Sequence, residues 1–123
     1  MEISVYERLG EENLHKLVER FYELVFSHAR ISRLFKTDKE TIKEKQRLFL
    51  TQFFGGPSLY SDKFGHPRLR ARHLPHPITE SDASDWLACM SEAINALNIE
   101  EKLKQELFKR FVPTAMFMVN QQS

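Results

Sequence analysis

Apolar residues recur along most of this chain at intervals of three and four, and strict alternation is nearly absent. The pattern predicts an all-α protein. Ser4-Val-Tyr-Glu7 reads as a capping box opening a short helix that Gly10 ends. Leu14, Leu17, Val18, Phe21, Tyr22, Val25 and Phe26 form one stripe and predict a second helix over 11–28. Thr37-Asp-Lys-Glu40 reads as another capping box, and the helix it opens runs to Phe54, where Gly55-Gly56-Pro57 stops it. A third box, Thr79-Glu-Ser-Asp82, opens a helix to about 97 with Ala83, Trp86, Leu87, Met90, Ile94 and Leu97 inward. The last helix, over about 100–120, turns in Leu103, Leu107, Phe108, Phe111, Ala115, Met118 and Val119, with Pro113 a helix-kinking residue in its interior.

Between the third and fourth of these helices lies Gly55 to Thr79, which holds three of the four glycines and four of the five prolines. A connection this long inside a compact domain is usually functional or disordered. This one carries aromatic, basic and histidine residues in place of solvating filler, so it reads as the wall of a site.

Three polar residues break the apolar stripes. Gln46 falls among Ile42, Phe49, Leu50 and Phe53, Tyr22 puts a hydroxyl on the inner face of the second helix, and Trp86 puts an indole N–H on that of the fourth. A buried amide without a partner costs about 1–3 kcal/mol, so Gln46 is expected to meet another polar group. Each aromatic alone is an ordinary core residue with one polar tip. Three such donors on three helices point to a shared polar pocket.

Composition narrows the classes. At 123 residues the chain is read as one domain, 1–123. Its 18 basic and 17 acidic residues give a net charge of +1, which offers no basic face for nucleic acid or an anionic membrane. No apolar run approaches the roughly 20 residues of a membrane span, and MEISVYERLG has no apolar signal core. The single cysteine, Cys89, excludes an internal disulfide and fits a reducing, cytoplasmic compartment; mid-helix, it reads as packing. Ten phenylalanines, with Trp86 and three tyrosines, leave a choice between dense packing and a flat aromatic cavity.

Zinc spacing, a phosphate loop and a nucleophile elbow are missing, and the acidic residues read as scattered over solvated faces. Of five histidines, His66 and His76 flank prolines and read as turn residues, while His15 and His28 have no pattern. His73 stands apart. Pro67 can begin a short helix and Pro75 forces its end, which brings Leu69 and His73 to one face with Arg70 and Arg72 on others. An inward imidazole, an apolar partner and adjacent guanidiniums suit an iron porphyrin; a surface or hydrogen-bonded core histidine is the competing reading.

At these residues the chain resembles the group II truncated haemoglobins. The segments that carry the likeness are Phe21-Tyr22-Glu23, Phe49 to Pro57, Gly65 to His73, Asp85 to Met90 and Met118-Val-Asn120, which together span nearly the whole sequence. The resemblance implies a two-over-two helical sandwich holding haem b, with His73 as the proximal iron ligand. It implies Tyr22, Gln46 and Trp86 as groups around a bound diatomic ligand, O2, CO or NO. It puts Phe35 on the haem edge, and Lys45, Tyr60 and Arg72 at the propionates or framing the haem. Ile42 departs from the family, whose members mostly carry a small residue there to leave a path to the iron; a bulky β-branched side chain narrows it. Leu69 is expected to pack under the ring. The function so implied is O2 binding, including transport, by a monomer or homodimer served by an electron-donating reductase. The alternative is a haem enzyme, a peroxidase or NO dioxygenase, using the same pocket.

Overall fold

The computed structural model describes residues 3–35, 38–68 and 77–120, and every described segment is helix, turn or irregular chain. Helix α1 (Val5–Leu9) starts where the Ser4 hydroxyl accepts from the Glu7 N–H, and ends at Gly10, whose φ of 86° suits a residue without a Cβ. Helix α2 (Glu11–Ser27) has no side-chain cap, but Glu11 and Glu12 place negative charge at its positive end. Its buried face is the predicted stripe from Leu14 to Val25. It ends at His28, whose Nδ1 accepts from the Arg30 N–H at 3.1 Å. A 3₁₀ turn (Ser32–Leu34) follows.

Helix α3 (Lys39–Phe53) is capped by Asp38, which accepts from the Thr41 N–H at 3.0 Å, one residue later than the box expected at Thr37. Thr37 itself lies outside the described residues. Asp38 is the better cap because a carboxylate adds charge to the hydrogen bond. At the other end the chain folds back sharply. A Cβ on Gly56 would stand 2.7 Å from the Tyr6 ring and 2.8 Å from the Thr51 carbonyl, so only glycine lets α1 lie against this corner. The Tyr6 N–H donates to the Phe54 carbonyl and fixes the contact.

The long connection contains a helix that the sequence reading did not contain: α4 (Leu59–Phe64). Gln52 holds it, accepting from the Ser61 N–H at 2.9 Å and donating to the Ser61 hydroxyl at 2.8 Å. The turn expected at Pro67–His73 lies outside the described residues from Leu69 onward. Helix α5 (Glu80–Asn95) opens with the full capping box Thr79–Asp82, and helix α6 (Glu101–Phe117) carries Pro113 in its interior. Helix α6 stops short of 120 because Asn120 turns back, its side chain and backbone bonding both polar backbone groups of Ile78.

Helix α5 packs against both α2 and α6, and α2 also packs against α3. Leu14, Leu17, Phe21, Leu50, Met90, Ile94 and Leu107 fill the space between them. Cys89 is buried in this core, and its burial raises the thiol's pKa, which favours the neutral thiol. Among the described residues no helix is long and apolar enough to cross a membrane.

Candidate functional site

A cavity of about 380 Å³ opens between α2, α3, α5 and α6. Aromatic rings form much of its wall. Phe53 stacks on Phe111 at 5.4 Å, Phe111 meets Trp86 edge-on at 5.6 Å, and Phe49 meets Tyr60 edge-on at 5.8 Å. Leu34, which ends the 3₁₀ turn, and Phe35 after it, Ile42 and Lys45 of α3, and Ile78 and Met118 also line it. A wider hollow of about 670 Å³ shares Phe49, Phe53 and Thr114 with it and extends to His66, Pro67 and Arg68. The phenylalanine surplus is thus divided between the core and this site.

Tyr22, Gln46 and Trp86 all line the cavity. None makes a side-chain hydrogen bond to a described residue. Gln46 makes no side-chain hydrogen bond to the polar group expected beside it among the described residues, and lines the same cavity as Tyr22 and Trp86 from a half-buried position. The Tyr22 hydroxyl is the extreme case, at 3% exposure, and burial raises its pKa far above the ordinary tyrosine range. It is a neutral donor at any physiological pH. Its ring is held edge-on by Phe21 at 5.0 Å and by Phe35 at 6.1 Å, so the hydroxyl is fixed in place.

Other polar groups in the lining are already occupied. The Thr114 hydroxyl donates back to the Arg110 carbonyl, and Asp82 accepts from the Thr79 N–H and from Arg33. Lys45 sits at the rim, its ammonium 5.1 Å from the centre of the Phe64 ring. The cavity thus offers neutral hydrogen-bond donors and flat apolar walls, with a cation at the edge. Such a lining suits a planar apolar group bearing anionic substituents, and a small acceptor beside it.

A sequence model described as bacterial-like globin matches residues 4–120. The chain is 48% identical to the group 2 truncated haemoglobin YjbI of Bacillus subtilis (strain 168), over 94% of this chain and 88% of that one. The crystal structure of the group II truncated haemoglobin from Bacillus anthracis superposes with a TM-score of 0.95 at 39% identity, covering all of this chain and 95% of that one. The chain belongs to the group II truncated haemoglobins.

A structure of a truncated oxygen-avid haemoglobin from Bacillus subtilis matches as well, with a TM-score of 0.91 and 47% identity over 96% of this chain and all of that one. In this globin α2 and α3 form one helical pair and α5 and α6 the other, the two-over-two arrangement of the fold. Membership implies a haem cofactor.

The structure brings Tyr22, Phe35, Ile42, Lys45, Gln46, Tyr60 and Trp86 to one cavity. Leu69, Arg72 and His73 lie outside the described residues. The acidic residues expected on solvated faces include two that are buried. Asp82 and Asp85 are not solvated: their side chains are 7% and 11% exposed, against Arg33 and Arg30. The Arg30 guanidinium lowers the Asp85 pKa below the usual carboxylate range. An Asp-x-x-Asp facing an Arg-x-x-Arg some fifty residues earlier was the available signal; nothing local to either pair marks it.

Proposed function

We propose that this globin binds O2, with CO and NO as alternative ligands, at an iron held by His73 in haem b (iron protoporphyrin IX), and that it binds O2 tightly. The iron supplies the coordination position for the diatomic ligand. The chain supplies the rest. Phe35, Ile42, Tyr60 and Leu69 contribute apolar and aromatic wall, and Lys45 and Arg72 contribute cations for the propionates. Tyr22 O–H and Trp86 N–H donate toward the ligand, and Gln46 donates from its amide or orients Tyr22.

One observation carries this reading: three neutral donors from three helices line one cavity without a side-chain hydrogen bond to any described residue. Leaving such groups unpaired is costly, and a polarised acceptor in the cavity offsets that cost. Several donors slow ligand release, which favours retention. The description of the Bacillus subtilis structure as oxygen-avid agrees with that expectation.

The same pocket in a peroxidase would need a group to move protons. Asp82, the carboxylate among the described lining residues, is held by Arg33 and the Thr79 N–H. The test is phenol oxidation by peroxide, measured beside free haemin. Rates within a few-fold of haemin are expected; an excess of about a hundredfold, the scale of positioned acid–base catalysis, would favour the enzyme.

Ile42 lines the cavity from α3 and is half-buried. Ile42→Ala is expected to speed CO association after flash photolysis by widening the way past α3. An unchanged rate would remove Ile42 as a gate.

A further inference from the structure

Two ion pairs tie the turn after α2 to the start of α5. Arg30 makes a fork on Asp85, Nε to Oδ2 at 2.8 Å and Nη2 to Oδ1 at 2.7 Å. Arg33 reaches both oxygens of Asp82 from Nη2 at 3.1 Å, and also donates to the Arg30 carbonyl. The arginines are three residues apart in the turn and the aspartates three apart in the helix, so the pairs form two parallel rungs. The carboxylates are buried while the guanidiniums are 72% and 52% exposed. The rungs therefore close from the solvent side.

What the rungs hold matters more than their own energy. Ile31, fully buried, lies between the two arginines in sequence. Leu34 and Phe35, directly after Arg33, line the cavity, and Phe35 rests against the Tyr22 ring. Trp86 follows Asp85 in the chain and lines the cavity from the other side. The segment itself has only the short 3₁₀ turn, a weak element when unsupported. Exposed ion pairs contribute little on their own, but an aspartate left buried without its arginine is strongly unfavourable.

We propose that Arg30–Asp85 and Arg33–Asp82 form a latch that keeps the Ile31–Phe35 segment closed over the cavity and so sets how fast a diatomic ligand passes this wall. The inference rests on the haem reading above; the four residues are positioning residues that act through Phe35 and Leu34. Salt screens the exposed side of the rungs, so opening becomes easier as ionic strength rises.

The test compares the haem-loaded protein with the Arg30→Gln/Arg33→Gln double variant and with Arg30→Lys/Arg33→Lys, at low salt and in 1 M NaCl. Two quantities are read: amide hydrogen exchange at Ser32, Leu34 and Phe35, and CO association after flash photolysis. In the wild type both should rise with salt. The Gln variant should be faster at low salt by about threefold or more, the scale set by loss of two partly exposed pairs, and insensitive to salt. The Lys variant, with charge but no fork, should fall between. Unchanged exchange in the Gln variant overturns the latch. Faster exchange with wild-type CO association overturns its control of ligand passage. Acceleration that extends equally to Leu107 in α6 is general destabilisation and also overturns it. Failure to take up haem would defeat the functional reading instead, and exchange in the haem-free protein would still decide whether the latch exists.

Discussion

Trp86→Phe is expected to raise the O2 dissociation rate at least about tenfold. Trp86 is held edge-on between Phe21 at 5.0 Å and Phe111 at 5.6 Å, so its ring has little freedom to turn away from the cavity. Phenylalanine keeps much of that aromatic packing and loses only the N–H. The substitution therefore isolates the hydrogen bond better than truncation to alanine would. A bond to a polarised acceptor contributes about 1.5 kcal/mol or more, and 1.4 kcal/mol corresponds to tenfold. Stopped-flow displacement of O2 by CO measures the rate. A value within twofold of wild type would show that Trp86 serves packing alone, and Tyr22 would then have to supply the retention.

Phe21→Ala should cost about 3–5 kcal/mol of stability, the range for removing a fully buried phenylalanine. Phe21 is wholly excluded from solvent at the junction of α2 and α5, and its ring lies 5.0 Å from both Tyr22 and Trp86. The cavity left behind cannot close easily, because both neighbours are themselves fixed against further rings. Set against a typical total of about 5–15 kcal/mol, the loss is severe. A fall in Tm of about 10–20 °C follows for a chain of this size, read by circular dichroism on the haem-loaded protein. A loss below about 1 kcal/mol would mean that the core around the site repacks, and that Tyr22 and Trp86 are not rigidly presented.

The sequence made the helices legible because their signals are local. Caps at Ser4 and Thr79, the stripe from Leu14 to Val25, and the stop at Gly55-Gly56 each involve residues within a turn or two of one another. Tyr22, Gln46 and Trp86 were legible for a related reason: each is polar at a position whose periodicity demands an apolar side chain. What escaped was set at a distance. Asp82 and Asp85 look like surface residues until Arg30 and Arg33 are brought to them from some fifty positions away. Helix α4 is a single short element whose stability comes from Gln52 gripping Ser61, although Ser58 before it and Gly65 after it are serviceable boundary signals. The cap of α3 moved by one residue because two adjacent side chains, Thr37 and Asp38, can each cap and sequence spacing alone does not rank them. The stripe marks Gln46 as a polar group in need of a polar neighbour; that it shares a cavity with Tyr22 and Trp86 is decided by the packing of separate helices.

A histidine-ligated haem with an open ligand position has its own absorption signature. The purified protein would be recorded oxidised, reduced and reduced under CO, beside His73→Gly. The wild type should show a Soret band that shifts sharply on adding CO, and the band should be lost or altered in the variant. A protein with no Soret band even after haemin is added, or a His73→Gly spectrum identical to wild type in all three states, would contradict a haem held by His73.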